Sequence, residues 1–76
     1  MAGFETMKIT DPVGFGAALR RRRKELGYTQ GYLSAFSGFS VSFISDLENG
    51  KKTAELGKAL YLANLLGLDM EMKARG

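Results

Sequence analysis

Cysteine and histidine are both absent from this 76-residue chain, and proline occurs once. Without the first two there are no disulfides and none of the common zinc frameworks. Lack of cysteine also fits a reducing compartment, and the cytoplasm is the expected location. No apolar run approaches the ~18 residues that span a bilayer, and the first residues lack the basic-then-apolar layout of a signal peptide. Catalytic equipment is equally thin, with no phosphate-cradling glycine loop and no convincing carboxylate pair. Neither an enzyme nor a cofactor or metal is expected. A chain this short is one domain near the lower limit for folding on its own core. Of the usual staples, only oligomerisation remains.

Charge is present but unevenly spread. The net charge is +3. Residues 1–28 carry six basic and three acidic groups, residues 29–50 two acids only, and residues 51–76 five bases and three acids. Basic ends thus flank a slightly acidic middle, an arrangement compatible with a polyanionic partner. Arg20, Arg21, Arg22, Arg23 and Lys24 are consecutive. Five successive residues wrap a whole helix, so they cannot all face one partner; a membrane surface is disfavoured because the same helix needs its apolar stripe for the core.

Helix signals punctuate the middle of the chain. Asp11 before Pro12 is a start signal, since Asp accepts from free helix N–H groups and Pro suits the first position. Val13, Phe15, Ala18, Leu19 and Leu26 give an apolar stripe, so a first helix is expected over 12–26, stopped by Gly27. Thr29 caps a second over 30–37, which buries Leu33 and the small Ser34 and Ser37. Ser40 caps a third over 41–49, with Ile44 and Leu47 inward and Gly50 as its stop. Thr53 caps a fourth over 54–66, with Leu56, Leu60, Ala63 and Leu66 inward and Gly67 beyond. Residues 1–10 have no helical period and read as an arm or short strand, leaving 11–67 as the folded domain. In 68–76, Leu68, Met70 and Met72 alternate with Asp69, Glu71 and Lys73, a period of two. A lone strand needs a partner, and the economical one is the same strand of a second copy across a dimer axis.

Two helices joined by Gly38-Phe39-Ser40 have the spacing of a helix-turn-helix. Ser34 and Ser37 allow a close crossing, glycine at 38 permits the reversal, and Phe39 plugs the corner. Val41, Ser42, Ser45 and Asp46 then point outward on a helix suited to the major groove. Tyr32 and Phe36, four apart, form an outward aromatic pair on the preceding helix.

The run Gly27-Tyr28-Thr29-Gln30, then Leu33, Gly38 and Ser40-Val41-Ser42-Phe43-Ile44-Ser45-Asp46-Leu47-Glu48-Asn49-Gly50-Lys51, resembles the Cro and phage-repressor type of helix-turn-helix. With Leu66-Gly67-Leu68 the likeness covers about residues 13–69. The continuation Leu68-Asp69-Met70-Glu71-Met72 is similar to HipB-like antitoxins. The resemblance implies an all-α bundle of four to five helices with a C-terminal strand, Leu68, Met70 and Met72, paired across a homodimer. It implies a sequence-specific repressor of its own operator, palindromic double-stranded DNA, and the antitoxin of a HipA-like kinase toxin. By position, Thr29 and Gln30 contact phosphates, Asn49 and Lys51 grip the backbone, and Ser40, Val41, Ser42 and Ser45 face bases with Asp46 at the margin. Arg20 is the arginine expected on phosphate, and Arg23 and Glu48 match a structural pair bridging the first and third helices.

Two departures matter. The outward face of the third helix has no Arg or Gln and no Asn before Asn49; Val41 can pack on a thymine methyl, and Asp46 would favour cytosine amines but repel phosphate. Tyr32 stands where an acid usually completes a capping box, and Phe36 where a polar residue is usual. These favour, as the alternative reading, a protein-interaction module that neutralises a toxin and binds little DNA.

Overall fold

The computed structural model describes residues 6–76, so part of the expected N-terminal arm lies outside the described residues. Four helices follow: α1 (Pro12–Glu25), α2 (Gln30–Ser37), α3 (Val41–Glu48) and α4 (Leu56–Leu65). Three of them start where a short polar side chain satisfies a free amide. Asp11 Oδ1 accepts from the Gly14 N–H at 2.8 Å, Thr29 Oγ1 from Tyr32 at 3.0 Å, and Ser40 Oγ from Phe43 at 3.0 Å. Each such cap contributes about 1 kcal/mol. Between α2 and α3 the chain reverses at Gly38, whose φ of 83° is left-handed and whose N–H returns to the Ser34 carbonyl.

The fourth helix departs from expectation. Thr53 does not cap it; Lys52 and Thr53 form a turn, and the helix opens two residues later behind Glu55, with no side-chain cap. Gly50 and Lys51 donate back to the Leu47 and Asp46 carbonyls at 3.0 Å, extending the α3 turn to Lys51, just ahead of the expected cap. Ala54 instead packs on the core as part of the loop. The inward set shifts accordingly. Ala59, Leu62, Ala63 and Leu66 are buried, the i, i+3, i+4, i+7 stripe of one face. Leu56, expected inward, is 69% exposed, and Leu60 is only half-buried.

All four helices contribute to one core of Leu19, Leu33, Ile44, Leu47, Ala59, Leu62, Ala63 and Leu66. Phe15, Leu26, Tyr28, Phe39, Phe43 and Leu68 pack around it. Val13, placed in the apolar stripe by its spacing, is exposed. Ile9, Phe15, Leu56, Leu60 and Met70 line an open apolar groove on the surface.

No strand occurs among the described residues. Leu68 turns inward, its N–H bonded to the Ala63 carbonyl at 3.0 Å, after which residues 69–76 run exposed. Residues 6–10 do not pair with them. A strand exists only through hydrogen bonds to a neighbour, and one copy of this chain supplies none.

Close packing of α1 on α3 rests on one residue. A Cβ at Gly16 would overlap the Leu47 carbonyl oxygen and approach the Glu48 carbonyl within 2.8 Å. Gly31, by contrast, sits exposed in α2 with only the Thr29 hydroxyl within 4 Å of such a Cβ. Gly16→Ala is expected to destabilise the fold by about 1–3 kcal/mol through overpacking, and Gly31→Ala to stabilise it by roughly 0.5–1 kcal/mol through helix propensity. Thermal melts of the two variants check this, the melting temperatures moving in opposite directions.

Candidate nucleic-acid interface

The turn between α2 and α3 is pinned by side chains at both ends. Ser34 Oγ donates to the Phe39 carbonyl at 2.6 Å, and Ser37 Oγ accepts from the Phe39 N–H at 3.1 Å. The Phe39 ring packs against Phe43 at 5.0 Å and edge-on to Tyr61 at 5.8 Å. With Ile44 and Leu47 buried beneath it, α3 is held so that its opposite face is outward. On that face Ser42, Ser45, Asp46 and Asn49 follow the i, i+3, i+4, i+7 spacing of a single stripe. Val41 and Ser40 stand exposed at its N-terminal end. Asn49 Nδ2 donates to Ser45 Oγ at 3.4 Å, and Lys51 Nζ lies 3.5 Å from Asp46 Oδ2. Helices of this size fit the major groove, where such side chains meet base edges.

A buried network fixes α3 against α1 and α2. Arg23 Nε donates to Glu48 Oε2 at 2.7 Å and Arg23 Nη2 to Glu48 Oε1 at 3.0 Å, while Nη1 donates to the Tyr28 carbonyl at 2.9 Å. The two side chains are 8% and 3% exposed. Gln30 Nε2 joins them, donating to Glu48 Oε1 at 3.1 Å. This placement bears on the phosphate role expected for Gln30. Its amide nitrogen is engaged through one hydrogen, leaving a single N–H for an anion, because the side-chain oxygen only accepts. Thr29 beside it uses its hydroxyl oxygen as the α2 cap.

The arginine run divides its labour around the helix. Arg21 pairs with Glu25 at 3.5 Å, Arg23 is buried, and Arg22 Nε donates to the Leu66 carbonyl at 2.7 Å. That last bond satisfies a free carbonyl at the end of α4, where a positive charge also suits the helix dipole. No local pattern announces it, because it joins positions 44 residues apart. Arg20 and Lys24 lie exposed, one turn apart, along a shallow depression completed by Ala17, Arg21 and Glu48.

Tyr32 and Phe36 are 54% and 52% exposed, with their rings nearly parallel at 6.1 Å. The sequence pattern identified this pair but not its third member: Tyr28 packs on Tyr32 at 4.9 Å and on Phe36 at 6.3 Å. The three rings form a patch along α2 and the residue just before its cap, sharing no residue with the α3 stripe.

Removing the carboxylate of Glu48 leaves the Arg23 guanidinium buried without its counter-charge. Glu48→Ala is expected to cost about 3–5 kcal/mol, measured by urea unfolding. Arg22→Ala, at a half-exposed site, is expected to cost less.

The family model described as Helix-turn-helix matches residues 19–72. An uncharacterized HTH-type transcriptional regulator of Sinorhizobium fredii, y4mF, is 39% identical over 69 residues, 91% of each chain. Among solved structures, the HipB chain of a HipB-O4 20mer complex superposes with a TM-score of 0.83 at 25% identity, covering 93% of this chain and all of that one. A chain of a HipA-HipB-O2-O3 complex gives a TM-score of 0.82 at 25% identity, with the same coverage. No described helix is long and apolar enough to cross a membrane. The chain belongs to the helix-turn-helix family, in the Cro and phage-repressor type that its Thr29–Lys51 motif resembles.

Proposed function

We propose that this chain is a dimeric, sequence-specific DNA-binding repressor that acts on the operator of its own gene in the cytoplasm and has no enzymatic role. The carrying observation is the outward stripe Ser42, Ser45, Asp46 and Asn49 on a helix braced from below, in a chain that superposes over the whole length of the HipB chain of a HipB-O4 20mer complex. In this reading α3 enters the major groove, with Ser40, Val41, Ser42, Ser45 and Asp46 towards bases. Arg20, Thr29, Gln30, Asn49 and Lys51 lie towards the backbone. The N-terminus of α2 offers free amides and partial positive charge to a phosphate, with the remaining N–H of Gln30 beside it.

Dimerisation supplies what the single chain lacks. Met70 borders the groove and Met72 stands fully exposed, while Leu68 anchors the segment to the core; pairing of residues 68–72 with the same segment of a second copy satisfies the strand hydrogen bonds. It also covers apolar surface at Leu56, Leu60 and Ile9. Two α3 helices then lie about 34 Å apart, one turn of B-DNA. Toxin neutralisation is the companion role: HipB occurs in a complex with HipA, and a HipA-like kinase is the partner proposed here. The Tyr28–Tyr32–Phe36 patch favours a protein contact on a face that DNA binding leaves unused.

A gel shift with the DNA upstream of its own gene tests the repressor reading. Binding is expected to fall about 10³-fold between 50 and 200 mM salt if roughly six phosphates are contacted by the dimer, and to weaken with Ser42→Ala. A shift indifferent to salt, or no shift at low salt, sinks it. Sedimentation of Met70→Glu and Met72→Glu together is expected to give a monomer where the parent is a dimer; an unchanged dimer places the interface elsewhere.

A further inference from the structure

The outward stripe of α3 carries one charged side chain, and it has the sign least suited to DNA. Ser42 and Ser45 precede Asp46, Asn49 ends the row, and residues 26–45 contain no charge at all. Asp46 also sits in the last turn of α3, where the helix dipole disfavours an acid. Helix stability therefore does not account for it. Nor does its ion pair, because the Asp46 and Lys51 side chains are about half exposed and such pairs contribute little.

What Lys51 does provide is charge and position. Its Nζ lies 3.5 Å from Asp46 Oδ2, and its backbone N–H bonds the Asp46 carbonyl at 3.0 Å. The lysine thus travels with the carboxylate and offsets its repulsion for neighbouring phosphates. An acid screened in this way can enter a groove that a bare one could not.

Inside the major groove a carboxylate is an acceptor only. Guanine offers N7 and O6 there and thymine O4, all acceptors that repel it. Adenine presents an amine, but with the N7 acceptor beside it. Cytosine presents its N4 amine with no adjacent acceptor of its own. Ser42 and Ser45 can serve as donor or acceptor and discriminate little. Val41 offers no hydrogen bond and Asn49 lies towards the backbone in the proposed reading, so hydrogen-bonded selection falls to Asp46, the acceptor that cannot change role.

Resting on the DNA-reading role proposed above, we propose that Asp46 is the base-selecting residue of this protein, admitting cytosine through its N4 amine and excluding guanine and thymine at one position of each half-site. Lys51 is the positioning residue that makes the acid tolerable in the groove.

Binding-site selection from a library of randomised DNA duplexes tests this, run in parallel with the parent protein, Asp46→Asn and Asp46→Ala. The parent is expected to enrich a two-fold symmetric motif with cytosine at one position per half-site, other bases there binding roughly 5- to 100-fold more weakly. Asparagine pairs with adenine N6 and N7, so Asp46→Asn is expected to move that position to adenine. Asp46→Ala is expected to leave it degenerate while the flanking positions hold. Circular dichroism is expected to show both variants folded, since the residue is half exposed and the dipole opposes its charge. The same motif from all three proteins overturns the assignment to Asp46 while leaving the repressor reading intact. No enriched motif from the parent overturns both.

Discussion

A guanidinium and a carboxylate taken out of water each carry a desolvation cost of several kcal/mol, and Arg23 and Glu48 are both almost fully buried. The cost is offset because every side-chain nitrogen and oxygen of the pair has a partner. Two Arg23 N–H groups meet the two Glu48 oxygens, a third meets the Tyr28 carbonyl, and Gln30 adds another donor to Glu48. No buried side-chain polar atom among the described residues lacks a partner. An apolar substitute of equal volume would fill the space, but it would not fix direction. The pair sets the end of α3 against α1 while Gln30 ties the start of α2 to the same carboxylate. The orientation of the outward stripe follows from it.

The rest of the geometry follows from how closely the helices approach. Gly16 lets α1 lie on the Leu47 and Glu48 carbonyls, which brings Arg23, about two turns further along, level with Glu48. Ser34 does the equivalent for the α2–α3 corner, and its hydroxyl also restrains the Phe39 carbonyl. A core of eight residues, two of them the alanines Ala59 and Ala63, leaves little volume to vary. Small side chains at crossings and polar braces at the ends do the positioning that bulk does in larger domains.

Local signals carried the parts of this fold that are local. Asp11, Thr29 and Ser40 each cap the helix expected of them, and α2 runs from Gln30 to Ser37 as its spacing implied. The start of α4 was not legible, because Thr53 looks like a cap in isolation while backbone bonds from Gly50 and Lys51 hold the preceding turn closed. Leu56 matched an apolar period but belongs to the surface groove rather than to the core. The segment 68–72 has strand periodicity without a strand partner in one copy. In the candidate interface, the stripe on α3 was readable from its spacing. The bond from Gln30 to Glu48 and the cap from Arg22 to Leu66 were not, since both depend on tertiary approach of residues far apart in sequence.

Most of the exposed basic charge stands off the outward stripe of α3. Exposed basic groups stand on α1 at Arg20 and Lys24 and after α3 at Lys51 and Lys52, while α2 and its turn carry none. Phosphate neutralisation gives affinity that is indifferent to sequence, so in the proposed reading these groups hold the duplex without choosing it. The surface proposed to choose is made mostly of short side chains whose hydroxyls suit several bases, and short side chains reach few edges. Discrimination must then come from spacing between two copies, from the deformability of the DNA between half-sites, and from whatever group on α3 is least permissive. A weak reader repeated by symmetry is still selective, because each mismatch is counted in both half-sites. In the proposed reading, a dimer contact at the C-terminal segment is as much a part of sequence recognition as α3 itself.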